Sequence, residues 1–276
     1  MLIWPQKRCG RIIWVKFMSA TSLSTVSSIY RYPVKGLSGE ALDETLLEPG
    51  KTLACDRIYA VENGAGRFDE AHPKYLAKIN FLMLMRNERL ALLETRFDAE
   101  RHQLTIWRGG KQVASGDLST SIGRKMIEQF LAGFVRAEKL RGAPHIVHAP
   151  GHSFSDVSAK CLHIVNLASL RELERVAETT IDPLRFRANV YVDGLEPWHE
   201  FNWLNSDIQI GLSRLKVFKR TMRCAATNVD PQTGVRDMGI PALLQRHWGH
   251  SDFGVYAEVV DGGSIKTGDQ VLHGLL

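Results

Sequence analysis

The chain has 276 residues, 44% hydrophobic and 24% charged, enough apolar material for a sizeable core and too much for a disordered chain. A count of 35 Lys+Arg against 30 Asp+Glu leaves +5, which favours anionic ligands without demanding nucleic acid. The four cysteines, Cys9, Cys55, Cys161 and Cys224, are dispersed with no CxxC, which argues against a disulfide framework or a structural zinc site and fits a reducing, cytoplasmic compartment.

The opening "MLIWPQKRCGRIIWVKF" mixes short apolar runs with Lys7, Arg8, Arg11 and Lys16. Those runs are too short for a transmembrane segment or a signal core, so residues 1–26 are expected to form an unstructured leader, with Met18 as an alternative start. From Ser27 the pattern becomes short apolar runs broken by turn residues. "SSIYRYPV" (27–34), "ALDETLLE" (41–48), "RIYAVE" (57–62), "FLMLMR" (81–86), "LALLETRFD" (90–98) and "HQLTIWR" (102–108) read as strands. Over 118–134, Ile122, Met126, Ile127, Phe130 and Leu131 recur at helical spacing after a Ser/Thr start, which predicts a helix. "KCLHIVN" (160–166) reads as a strand running into a helix over 167–179 with Leu167, Leu170, Leu173 and Val176 on one face. "ANVYVDG", "DIQIGL", "RLKVFKR", "YAEVV" and "QVLH" continue a second β-rich module. The expected fold class is mainly β with a few helices: an N-terminal β-barrel module over 27–117, then a second barrel domain over 118–276 that includes the linking helix.

"TMRCAATNVDPQTG" (221–234) sets Cys224 directly behind Lys216, Lys219, Arg220 and Arg223. A lone cysteine is commonly an inert buried sulfur. Neighbouring cations instead favour thiolate over thiol, which makes the sulfur a nucleophile or a soft metal ligand. Asp-Pro followed by Gly234 is a turn signature, so Cys224 is expected near a strand end, and Asp230 is read as a turn-former. One protein sulfur cannot hold a bare metal ion, so any metal must arrive with other ligands on a cofactor. Trp198 and Trp203 read as core aromatics, and His199 as structural. Neither a recognition helix with interleaved Lys/Arg nor a base-stacking signature occurs, so no nucleic-acid partner is expected.

"IYRYPVKGLSGEAL" (29–42) with "CDRIYAVEN" (55–63), and "FRANVYVDG" (186–194) with the Arg-Cys-x-x-Thr-x-Val-Asp-Pro-x-Thr-Gly pattern, resemble the MOSC-domain proteins and their N-terminal β-barrel module. This family is related to the molybdenum cofactor sulfurase C-terminal domain, the mitochondrial amidoxime reducing component and bacterial counterparts. The resemblance implies a MOSC-type β-barrel and a molybdenum cofactor (molybdopterin), with Cys224 as the molybdenum ligand and catalytic centre. It also implies that Lys35, Arg57, Asp156, Ser158, Ser169, Arg187, Asn189 and Arg223 hold the cofactor. Gly36 stands where some relatives carry a serine. The implied activity is an oxidoreductase acting on a small-molecule substrate of N-hydroxylated or N-oxide type. No clustered cysteines of a ferredoxin follow the second barrel, so the implied electron source is a separate electron-transfer protein. Two alternatives stand beside it: a sulfur carrier or transferase using a Cys224 persulfide, and a non-catalytic cofactor-binding module.

Overall fold

A computed structural model describes residues 24–64, 66–135 and 139–274. In chain order, β1 (Thr25–Arg31), β2 (Glu40–Leu42), β3 (Glu44–Leu47), β4 (Tyr59–Asn63), β5 (Glu94–Asp98), β6 (Gln103–Arg108) and β7 (Lys111–Asp117) precede helix α1 (Ser121–Phe134). Then come β8 (Pro144–His148), β9 (Leu162–Asn166), α2 (Leu167–Ala177), β10 (Val190–Asp193), β11 (Asp207–Ile210) and β12 (Ser213–Met222). Helix α3 (Ile240–Trp248), β13 (Asp252–Asp261), β14 (Gly263–Lys266) and β15 (Val271–His273) complete the described chain.

The largest sheet runs β15-β11-β12-β13-β9-β10-β1-β2. Its inward residues, among them Ile29, Leu162, Ile164, Val190, Val192, Ile208, Leu215, Val217 and Val255, form one buried core with Trp203 and Phe201. The opening strands are therefore stitched into the second module: β1 lies antiparallel to β10, and β3 pairs with β14. The first module keeps the β5-β6-β7 sheet for itself, and its β4 pairs with β8, which follows α1 in the chain. Its core joins Val34, Leu37, Tyr59, Val61, Leu93, Phe97 and Ile106 to Ile127, Leu131 and Phe134 of α1.

That packing assigns α1 to the first module's core, whereas the expected boundary at 117/118 put it with the second. The contact is close: a Cβ on Gly123 would stand 2.1 Å from the Asp117 carbonyl oxygen, so only glycine lets the helix seat against the end of β7. Thr120 caps the helix, its side chain accepting from the Gly123 amide at 3.0 Å. The buried stripe is Ile127, Leu131 and Phe134, while Ile122 and Met126 are 75% and 54% exposed, so the apolar spacing of 118–134 overstates the core face.

Residues 1–23 of the expected leader lie outside the described residues, as does Cys9. The last residues of that stretch, Ser24, Thr25 and Val26, are folded: Ser24 and Val26 are buried, and Thr25 opens β1. "FLMLMR" is another difference. Phe81 makes a single bridge to Glu62, and the chain then turns, with the Arg86 and Asn87 amides both donating to the Met83 carbonyl. Asn87 closes the turn by accepting from the Met83 amide at 3.2 Å. Helix α3, which was not anticipated, carries Pro241 in its first turn and Gly249 at its end, a start-and-stop pair for a short helix.

Candidate functional site

β12 ends at Met222, and Cys224 initiates a short 3₁₀ turn over Ala225–Asn228. The Cys224 carbonyl accepts from the Thr227 amide at 3.1 Å and from its hydroxyl at 3.0 Å, which fixes the backbone and leaves the thiol outside the turn. Asp230 accepts from the Gln232 and Thr233 amides at 2.9 and 2.7 Å and ion-pairs with Arg185 at 3.0 Å, so the Asp-Pro stretch is a turn. Asp237 also pairs with Arg185 at 2.7 Å, which engages both terminal nitrogens of the guanidinium and leaves its buried Nε without a partner.

Cys224 lines a cavity of about 310 Å³ between the two modules. Seven of its lining residues are cations, Lys35, Arg57, Lys78, Arg185, Arg187, Lys219 and Arg223, and one, Asp156, is acidic. Such a wall selects for anions. The four-residue cation run before Cys224 divides: Lys219 and Arg223 reach the cavity, whereas Arg220 stacks on Phe201 at 4.2 Å and Lys216 is exposed.

The cationic wall is built by unusual backbone. Arg57 and Arg187 take left-handed conformations, φ 53° and 52°, which non-glycine residues adopt at a cost. Their guanidinium groups flank the Tyr32 ring, at 4.9 and 4.3 Å from its centre. Arg57 pairs with buried Asp56 and donates to the Arg187 carbonyl at 3.0 Å. Arg187 Nη1 donates to the Leu37 carbonyl at 2.6 Å, while its buried Nη2 has no hydrogen-bond partner. Burial pushes the Arg187 pKa down to about 10, which leaves it cationic at neutral pH. Arg223 donates to the Phe186 carbonyl at 2.7 Å and approaches His163 Nε2 at 3.4 Å, and its buried Nε is likewise unpartnered. Burial, with Arg223 beside it, drives His163 well below its ordinary range, so the imidazole is neutral.

Lys35 donates to the Phe154 carbonyl at 2.8 Å and pairs with Asp156. Burial lowers the Lys35 ammonium pKa, and Asp156 works against that loss. Burial acts to raise the Asp156 carboxyl, but Lys35, Lys78 and Arg57 outweigh it and hold it well below the usual carboxylate range. Gly36, at φ 86°, is required here: a Cβ would sit 2.7 Å from the Leu82 carbonyl oxygen.

Of the nine residues expected at the site, seven line this cavity: Lys35, Arg57, Asp156, Arg187, Asn189, Arg223 and Cys224. Asn189 spends its polar atoms on structure, accepting from the His163 amide and donating to the Tyr30 carbonyl. Ser158 is exposed and outside the lining. Ser169 is a correction: it is fully buried elsewhere, donating to both Glu200 carboxylate oxygens at 2.9 Å, because it sits in the first turn of α2 facing Glu200 rather than the cavity. The expectation of core aromatics holds for Trp203, 2% exposed in the barrel core, and Trp198 packs against Trp248 and Phe253. Lys78, His163 and the Met83–Met85 turn were not anticipated: no spacing or motif marks residues that reach the site through a turn of the other module, and His163 reads in the sequence as an ordinary position of its strand.

An anionic, multidentate cofactor fits this donor set. The unpartnered Arg187 Nη2 and Arg223 Nε are the kind of buried donors that a ligand phosphate or oxygen completes. Among the described residues, no three His, Cys, Asp or Glu side chains cluster to hold a metal, so Cys224 would complete a metal sphere otherwise supplied by the cofactor. No helix among the described residues is long and apolar enough to cross a membrane.

Comparison with known proteins agrees on both modules. Residues 23–134 match the family model for the MOSC N-terminal beta barrel domain, and residues 148–272 that for the MOSC domain. Mitochondrial amidoxime reducing component 2 of Rattus norvegicus is 30% identical over 122 residues, 40% of this chain and 36% of the rat protein. Mitochondrial amidoxime-reducing component 1 of Homo sapiens is 30% identical over 131 residues, covering 43% and 38%. Molybdenum cofactor sulfurase of Homo sapiens is 26% identical over 271 residues, 84% of this chain and 29% of the human protein. The chain thus spans well under half the length of these relatives. It belongs to the MOSC-domain proteins, with the N-terminal beta barrel module preceding the MOSC domain.

Proposed function

We propose that the protein is a molybdenum-cofactor-dependent reductase of N-hydroxylated or N-oxide-type compounds, with Cys224 as the metal ligand. The observation that carries this reading is Cys224 at the end of β12, facing a cavity walled by cations whose buried donors are left over. Arg187 and Arg223 would receive the anionic parts of the cofactor, Arg57 would orient Arg187 through its carbonyl, and Lys35 would hold Asp156 at the rim. When bound, the cofactor supplies two-electron redox chemistry at an open coordination position. Reduction of an N-hydroxyl group takes up two electrons and two protons: the N–O bond breaks, an N–H bond forms and water leaves. A separate electron-transfer protein supplies the electrons, and the location consistent with the dispersed thiols is cytoplasmic.

Metal analysis tests the reading. Wild-type protein purified from a host that makes the cofactor is expected to carry close to one molybdenum per chain and to reduce benzamidoxime with reduced methyl viologen. Cys224→Ala is expected to lose turnover by at least a hundredfold. A Cys224→Ala protein with full metal and full activity rules Cys224 out as the metal ligand, and a wild type that carries molybdenum but reduces no N-hydroxylated compound rules the reductase out. The likeness to molybdenum cofactor sulfurase over 84% of the chain favours sulfur transfer as the second reading. In that case, the wild type purifies without molybdenum and releases sulfane sulfur from Cys224 on mild reduction.

A further inference from the structure

The first module contributes a cation, Lys78, to the cavity that Cys224 lines. Lys78 opens a 3₁₀ turn over Lys78–Asn80, which is held because the Phe81 amide returns to the Lys78 carbonyl at 3.0 Å and Phe81 bridges Glu62 on β4. From there its ammonium group enters the cavity that Cys224 also lines and lies 3.6 Å from Asp156 Oδ2. An ammonium has three donors. Asp156 at 3.6 Å is an ion pair beyond hydrogen-bond length, so donor capacity remains on the cavity side.

The same side of the cavity is apolar and soft. Met83, Leu84 and Met85 come from the turn just after Lys78, and Met222, 71% exposed, projects from the end of β12. Arg236 ties this turn to the Cys224 segment, donating to the Leu84 and Met85 carbonyls at 3.0 and 2.7 Å and to the Ala225 carbonyl at 3.1 Å. A cation beside the reacting position and an adaptable methionine lip next to it match a molecule with a negatively polarised oxygen on an apolar body.

Resting on the reductase reading, we propose that Lys78 is a specificity residue that the first module supplies to the Cys224 site, receiving the substrate's N-bound oxygen while the apolar remainder lies on Met83, Leu84, Met85 and Met222. The electrostatics of Lys78 at the sulfur can be read without any cofactor. In cofactor-free protein, the ratio of Cys224 alkylation rates with anionic iodoacetate and neutral iodoacetamide at one pH cancels the thiolate fraction and reports the local cation.

The experiment compares wild type, Lys78→Met and Lys78→Arg, each checked for a native melting transition. Lys78→Met is expected to lower the iodoacetate-to-iodoacetamide ratio at least threefold and Lys78→Arg to preserve it. In molybdenum-loaded enzyme with benzamidoxime and reduced methyl viologen, Lys78→Met is expected to lower kcat/KM at least tenfold, chiefly through KM, with molybdenum content unchanged. Lys78→Arg recovers most of that loss. An alkylation ratio within twofold of wild type in Lys78→Met overturns the inference, as does loss of molybdenum with the side chain, which would make it a cofactor residue. If wild type never loads molybdenum, the reductase reading falls, and the alkylation ratio alone decides whether Lys78 acts at the sulfur.

Discussion

Two buried polar regions of this protein are built on opposite plans. In the closed one, Asn166, Ser169 and Glu200 are all fully buried and satisfy one another: Asn166 Nδ2 donates to the Glu196 carbonyl and to Glu200, Ser169 donates to Glu200, and the Trp198 amide donates to Ser169. In the open one around Cys224, cations outnumber acids seven to one, and Arg187 Nη2 and Arg223 Nε have no partner. A complete network fixes a fold, and an incomplete one of a single sign waits for a ligand. Both occur where the backbone is already committed by β9 and β10, so the difference lies in side-chain accounting rather than in rigidity.

Breaking the closed network has the largest expected cost in stability. Glu200→Ala strands the Ser169 hydroxyl and one Asn166 donor in the interior and is expected to lower stability by about 3 kcal/mol. Denaturant titration checks this, and the cavity's ligand affinity should not change beyond the shared loss of folded protein. The open network responds the other way. Arg187→Ala removes a charge-assisted donor worth about 1.5–3 kcal/mol to a bound anion, so cofactor affinity is expected to fall roughly 10- to 100-fold. Fluorescence of the pterin released and oxidised from equilibrated protein measures that loss. Thermal melting of the cofactor-free variant should fall far less than for Glu200→Ala, since Arg187 is crowded by Arg57 and incompletely paired.

A pH titration sharpens the contrast further. Burial raises the Glu200 carboxyl from 4.5 to about 7, against the opposing hydrogen bonds from Asn166 and Ser169. Between those values the folded chain holds a proton that the unfolded chain has released. The contribution is therefore full below about pH 4.5, declines as pH rises through the window and is flat above about 7. Glu200→Gln is expected to remove that part of the decline, read as a shallower slope of melting temperature against pH. Smallest of all, Ile122→Glu on the exposed face of α1 should change stability by less than about 0.5 kcal/mol, because that side chain is 75% in water.

Much of the cavity was legible before any coordinates. Six of its charged or sulfur-bearing residues, Lys35, Arg57, Asp156, Arg187, Arg223 and Cys224, were named from motif matches spread over 190 positions, and all line one space. The motif places a residue type at a register position, which suffices where a strand end or turn then aims the side chain. It failed for Ser169, whose position at the start of α2 turns it toward Glu200, and for the "FLMLMR" stretch, whose apolar run is shared by strands and by buried turns. Lys78 was invisible for the same reason: nothing local distinguishes a surface lysine from one carried across a module boundary.

By itself, the sequence determined the mainly β class, the turn at Asp230, the α2 face and the cationic setting of Cys224, because each is dictated by residues within a few positions of one another. Tertiary structure alone decided that β1 and β3 belong to the second module's strands, that α1 packs with the first, and which cations keep donors to spare. Those outcomes depend on pairings between residues distant in the chain, some of them 150 or more positions apart, such as Thr25 with Asp193 and Arg187 with Leu37, and no local pattern encodes them.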